Sequence, residues 1–345
     1  MGGNVFKESV RLNKEELFRS FNLIKSDIKK EFPNSLIDYV PFYRNKSSFG
    51  DLDILTNIEM PKLYEIILRI YPKAKTSLPQ PLDYPKEISM LFENKYQVDF
   101  IFADTGYYDF SHNYHSWNVL SSLLGIISRM LGVKVKQEGL FYTVYCKNRK
   151  VDILITTNFY EVLELLDYSA ALYKKGFDSP EDIFNFVTTS KYYNKSLFYL
   201  ENRSQITRSR DIKRDLYVRF VEYVKSNNFE INEFPWKKLP KGEYETNEQN
   251  SFFLKILYDR YPNFKKDLER EKDICVNILL KKQDNKEKIN TVISELHISN
   301  KCFSGICRNL ALNGINIKHI FTEYSSIELI NLFKQNLLEN ETCRI

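Results

Sequence analysis

The run Gly50-Asp51-Leu52-Asp53-Ile54-Leu55-Thr56 sets two carboxylates two positions apart in an otherwise apolar stretch. Side chains two apart on an extended strand point to the same face. Read as a strand, the run turns Leu52 and Ile54 to a core and projects Asp51 and Asp53 together on the other side. Like charges that close repel, and one carboxyl is pushed toward its neutral form unless something offsets the pair. A solvated sheet edge is one relief. A hard divalent cation is another, because Mg²⁺ takes one or two carboxylates together with substrate phosphates. A third acid on a neighbouring strand distinguishes the two. Two segments offer one: Gln97-Val98-Asp99-Phe100-Ile101-Phe102 and Lys150-Val151-Asp152-Ile153-Leu154-Ile155. Each holds a lone acid in an apolar strand, where an unpaired charge is costly.

The 345 residues suffice for two or three small domains. Hydrophobic residues make up 43% and charged residues 28%, a globular composition that excludes a disordered chain. Net charge is +5, mildly basic, which permits contact with nucleic acid. Lys195 to Lys225 is rich in Lys and Arg, with Arg208, Arg210, Lys213, Arg214 and Arg219 able either to track a phosphate backbone or to form a solvated helix face. Five scattered cysteines read as reduced thiols of a cytoplasmic protein. Cys302, Cys307, His297 and His319 fit no common zinc spacing. No secretory leader or membrane span is expected. The richness in Lys, Asn and Ile is what an AT-rich genome gives, viral ones among them, in which case the compartment is the host cytoplasm.

Periodicity and punctuation outline the elements. Asn13–Lys29 reads as an amphipathic helix, capped by Asn13 with Glu16 completing a capping box, and Leu17, Phe21, Ile24 and Ile28 share a face. Leu36–Phe42 is a strand, Tyr43–Phe49 a loop, and Pro61–Tyr71 a helix with Pro in its first turn. Ser89–Glu93 and Tyr96–Ala103 form a hairpin around Glu93-Asn94-Lys95. Tyr114–Leu131 reads as one helix, Leu140–Tyr145 and Lys150–Thr156 as a second hairpin around Asn148, and Asn158–Lys174 as a helix stopped by Gly176. Ser179 and Pro180 open the next helix. Beyond about Lys195 the chain reads as helical, with a linker at Lys237–Asn247.

The stretch Phe42-Tyr43-Arg44-Asn45-Lys46-Ser47-Ser48-Phe49-Gly50-Asp51-Leu52-Asp53-Ile54-Leu55 resembles the signature of the DNA polymerase beta-like nucleotidyltransferase superfamily. In that superfamily a strand-loop-strand unit ends in Gly-Asp-x-Asp and a third acid follows in an apolar strand. Gly176-Phe177-Asp178-Ser179-Pro180-Glu181-Asp182-Ile183-Phe184 is similar to the segment entering the last helix of the family-X thumb. The resemblance implies an α+β fold with a mixed-sheet palm at 1–110, a thumb-like α/β unit at 111–200 and a mainly helical region at 201–345. It implies Asp51, Asp53 and Asp99 as catalytic metal ligands for two Mg²⁺ or Mn²⁺ ions, with Asp99 preferred over Asp152 because the thumb-like order puts Asp152 downstream. Arg44 falls where family polymerases bind the triphosphate, Lys46, Ser48 and Gly50 lie in the loop that approaches the phosphates, and Tyr114 or Trp117 meets the incoming base and sugar. Substrates are then an NTP or dNTP and a hydroxyl acceptor, foremost the 3′ end of DNA or RNA. The same fold also serves transfer to tRNA, protein or a small molecule, and a nucleic-acid-binding module without activity. Val40-Pro41 departs from the usual small-residue start of the loop, and Pro41 has no N–H for a phosphate. The lyase domain that precedes many family polymerases is not expected here, which makes a gap-filling repair role the lesser expectation.

Overall fold

A computed structural model describes residues 5–77, 87–146, 149–227, 251–313 and 315–337. The expected linker at 237–247 lies outside them. The chain divides into two compact units, Met1–Tyr145 with Arg149–Phe264, and Cys146–Asn148 with Lys265–Ile345. The expected boundaries after 110 and 200 both fall inside the first unit.

The first unit opens with α1 (Lys14–Glu31), where the Asn13 side chain accepts from the Glu16 N–H at 2.9 Å and Glu16 accepts from the Asn13 N–H at 2.9 Å. Leu17, Phe21, Ile24 and Ile28 are buried as the spacing requires, each worth about 1.5–3 kcal/mol by area removed from water. Next come β1 (Ile37–Tyr39), β2 (Leu52–Thr56), α2 (Met60–Ile70), β3 (Lys75–Ser77), β4 (Glu87–Phe92) and β5 (Tyr96–Phe102). The five strands form one mixed sheet in the order β1-β2-β5-β4-β3. The β2–β5 pair is parallel; the other pairs are antiparallel. Glu93 and Asn94, with φ of 51° and 53°, begin the three-residue Glu93-Asn94-Lys95 turn of the β4–β5 hairpin, which pairs Phe92 with Tyr96.

One face of this sheet carries Leu52, Ile54, Ile88, Met90, Val98 and Phe100, all under α1 and α2 in a single core. The other face is divided. At one end Leu55, Ala103 and Tyr108 pack together. At the other end lie Asp51, Asp53, Ser89, Gln97 and Asp99, the residues of opposite parity on the same strands.

The chain continues through α3 (Tyr108–His115), α4 (Leu120–Met130), β6 (Val133–Lys136), β7 (Gly139–Cys146) and β8 (Arg149–Thr156), the last three forming a separate sheet in that order. The single helix expected at 114–131 is two helices. Trp117 and Asn118 take φ of 64° and 57° between them, and the Trp117 N–H donates to the Pro41 carbonyl at 2.8 Å instead of to a helical turn. The helix expected at 158–174 is likewise broken, into α5 (Phe159–Leu165) and α6 (Ala170–Lys175), around Asp167 at φ 62°. Then follow α7 (Pro180–Thr188), capped by Ser179 as expected, α8 (Gln205–Asp211), α9 (Asp215–Ser226) and α10 (Ser251–Arg260).

The second unit is helical. It takes up α11 (Pro262–Glu295) from Lys265 onward, α12 (Asn300–Leu312), α13 (Ile317–Glu323) and α14 (Ser326–Leu337), with Val292, Ile306, Leu310, Ile320, Leu329 and Phe333 at its core. Cys146, Cys275 and Cys307 are free thiols. No helix among the described residues is long and apolar enough to cross a membrane.

Candidate active site

Asp53 sits in register with Asp99 across the parallel β2–β5 pair, and Asp99 is in register with Ser89 on β4. Asp51 precedes β2 and projects from the same face. The three carboxylates each offer an oxygen within 4.8 Å of the others, and they are the one such group of acids, cysteines or histidines among the described residues. Asp152 stands elsewhere, on β8, bonded to Thr143 at 2.5 Å and paired with Lys136. Burial works to raise the Asp152 carboxyl, but those partners hold it below its ordinary value.

Burial raises the pKa of Asp53, and the charges of Asp51 and Asp99 raise it further; Lys46 opposes them. Asp99 is 6% exposed. Burial raises its pKa too, while hydrogen bonds from Ser89 and Gln97 pull it back. Gln97 donates to both Asp99 oxygens, at 3.1 and 2.8 Å, and its own oxygen accepts the Val5 N–H at 2.9 Å. That last bond fixes which end of the amide faces the carboxylate and so orients Asp99. Glu87, on the same face of β4, is raised by burial and then by Asp99 and Asp51. Sequence reading missed Gln97 and Glu87, although Gln97 keeps the two-residue period of Asp99 on β5 and Glu87 that of Ser89, the partner of Asp99, on β4.

Among the described residues no Lys or Arg forms an ion pair with any of the three aspartates. Lys46 and the hydrogen bonds from Gln97 and Ser89 offset part of their mutual repulsion, and protonation or a bound cation would relieve the rest. The donor set is all oxygen and anionic, which fits a hard divalent ion such as Mg²⁺.

Asp51 and Asp53 line a cavity of about 590 Å³. Its walls carry Lys46, Ser48 and Gly50 from the β1–β2 loop, Arg11 from the N-terminal segment, His115 at the end of α3 and Asn118 beyond it, and Arg214 and Arg219 from the start of α9. Arg11 donates to the Ser48 hydroxyl at 2.7 Å and to its carbonyl at 3.1 Å. The Lys46 ammonium lies 4.6 Å from the Phe49 ring centre, and burial lowers its pKa while Asp51 and Asp53 raise it. His115 is lowered by burial and accepts or donates at 3.3 Å with Gln137.

The expected substrate contacts of Arg44, Tyr114 and Trp117 do not reach this cavity. Arg44 pairs with Asp178 and donates to the Lys175 carbonyl at 2.8 Å, while its N–H donates to the Phe177 carbonyl at 2.9 Å. Trp117 packs edge-on against Phe177 and Tyr173, with ring centres 5.3 and 6.4 Å apart. Tyr114 is half-buried against His115. Within Tyr114–Asn118 it is His115 and Asn118 that face the cavity, because the left-handed break after α3 rotates the chain. Compared with models of known protein families and with curated protein sequences, the chain matches none. The reading of the site therefore rests on its geometry.

The start of the β1–β2 loop offers no backbone cradle. The Val40 N–H donates to the Asp53 carbonyl at 3.0 Å, and Pro41 has no N–H. The cations that this wall turns to the cavity are the side chains of Arg11 and Lys46.

Proposed function

We propose that the chain is a divalent-metal-dependent nucleotidyltransferase that moves a nucleotidyl group from an NTP or dNTP to a hydroxyl, foremost a nucleic-acid 3′ end. One observation carries this reading: three adjacent carboxylates, two of them on the floor of a cavity whose walls bear Arg11, Lys46, Arg214 and Arg219. Acids at the floor and cations on the walls suit a substrate that is itself polyanionic and metal-bound.

Asp51, Asp53 and Asp99 would hold the ions. What two such ions supply when bound is a lowered pKa at the attacking hydroxyl and charge to stabilise the leaving pyrophosphate. Asp99, hydrogen-bonded by Gln97 and Ser89, would take the hydroxyl proton. The hydroxyl oxygen then bonds to the α-phosphorus, the bond from that phosphorus to the bridging oxygen breaks, and pyrophosphate departs with the electron pair. Lys46 and Arg11 hold the phosphates, and His115 and Asn118 face the sugar and base.

A primer-extension panel with each NTP and dNTP, with and without template, in Mg²⁺ and Mn²⁺, tests the reading. Metal-dependent addition to a 3′ end is expected. Transfer to tRNA, protein or a small molecule instead would move the acceptor. A calorimetric titration showing no Mg²⁺-dependent NTP binding would reduce the chain to a binding module.

Linkage gives a second test. A carboxyl whose folded pKa lies above its unfolded value of about 4 destabilises the folded state increasingly as pH rises from that value through the folded one. Asp53 is such a group. The increase in melting temperature produced by Mg²⁺ over a chelator should therefore be small near pH 5 and grow toward about pH 8. An increment that is the same across this range would count against Asp53 as a ligand.

A further inference from the structure

A second concentration of charge lies where α4 ends beside α8 and the start of α9. Arg129, Arg203, Arg210, Lys213 and Arg214 gather there. Asp211 is 1% exposed and already shared by Arg203, at 3.4 Å, and Arg210, at 2.9 Å. Asp215 opens α9, and the charge of Glu138 acts on Tyr114. Arg214 donates to a neutral partner, the Ser122 hydroxyl at 2.9 Å. Lys213 is exposed and, like Arg129, forms no ion pair among the described residues. Burial lowers the pKa of Arg129, and the like charges of Arg203 and Arg210 lower it further. Positive charge thus exceeds negative where desolvation makes the excess costly.

An open groove lined by Arg210, Ile212, Lys213, Arg214 and Val218 runs along this region. It shares Arg214 and Asp215 with the walls of the cavity that holds Asp51 and Asp53, so the two adjoin. Ile212 is 57% exposed beside the cations. Spaced cations with apolar surface between them suit a strand that offers phosphates and unstacked base faces together, which a duplex does not.

We propose that this groove binds the phosphodiester backbone of a single-stranded nucleic acid and leads its 3′ end to the aspartates. The first part stands on the groove alone, and the second rests on the nucleotidyl-transfer reading.

The test is fluorescence anisotropy of labelled single-stranded 20-mers of dT and of U, and of a duplex, titrated with the full-length chain in chelator without nucleotide. Salt is varied from about 50 to about 200 mM. The wild type is expected to prefer single strands and to lose affinity steeply with salt. Arg210→Gln/Lys213→Glu should weaken binding at least about tenfold, and the log–log salt slope should fall by about 0.7 for each phosphate no longer neutralised. Lys213→Glu alone, at an exposed position, should move both in the same direction without disturbing Asp211. Lys73→Glu, on the turn after α2, should change neither. Unchanged affinity and slope in both groove variants would overturn the proposal, as would equal binding of polyglutamate or duplex binding no weaker than single-strand binding. Strand binding that obeys these expectations without transfer of any nucleotide would sink the nucleotidyltransferase reading and leave the groove assignment standing.

Discussion

Asp53→Asn is expected to abolish metal-dependent transfer while making the metal-free protein more stable. The substitution keeps shape and removes one charge. In the folded chain burial and two neighbouring carboxylates oppose ionisation of Asp53, whereas in the unfolded chain nothing does. Each unit by which the folded pKa is raised costs about 1.4 kcal/mol of stability at neutral pH, and the amide does not incur that cost. Loss of a preorganised charge at the reacting centre lowers turnover on the order of 10²–10³-fold or more. Thermal melts in chelator and in Mg²⁺, beside turnover, read both effects. The variant should melt higher than wild type in chelator and show no Mg²⁺ increment. A variant that keeps full activity, or melts well below wild type in chelator, would remove Asp53 from the metal site.

Gly176→Ala should unfold or loosen the first unit although Gly176 touches no aspartate. Its φ is 70° and ψ −176°, a region that is essentially closed to residues with a Cβ. A Cβ there would also stand 2.6 Å from the Trp117 ring and 2.8 Å from the Arg44 guanidinium. Backbone strain and overpacking together cost about 2–5 kcal/mol, which for a domain of this size lowers the melting temperature by about 5–15 °C. The same contacts seat the β1–β2 loop, through Arg44 and Asn45 bonded to Phe177 and Asp178, so turnover should fall with stability. Wild-type melting and activity in Gly176→Ala would show that this clamp is not needed.

The elements that the sequence disclosed are those whose signals are local. The α1 capping box, the Ser179–Pro180 entry to α7, the β4–β5 hairpin and the alternation through Asp51 and Asp53 each lie within a few residues. What stayed hidden depends on distant partners. Trp117 is no usual left-handed residue, and its N–H turns out of the helical period because the Pro41 carbonyl accepts it. Arg44 holds its place through Asp178, far along the chain, so motif position alone assigned it to the substrate. Short edge strands such as β3, with the polar sequence Lys-Thr-Ser, carry no periodic signal to read. Arg11 and Arg214 belong to the cavity only because folding brings an N-terminal segment and α9 to the β1–β2 loop.

The parallel pairing of β2 with β5 also dictates when, as the chain folds, the acids meet. Asp53 and Asp99 are 46 positions apart (99 − 53) and join through a crossover, whereas β4 and β5 form a hairpin with a three-residue turn. Hairpins close in microseconds, and non-local parallel pairing is slower because loop closure precedes its reward. Asp99 can therefore take its place beside Ser89 and Gln97 before Asp53 arrives. The docking of β2 is then the step that brings the charges into conflict, so the repulsion among the three acids is confined to the native sheet and does not burden the early steps of folding.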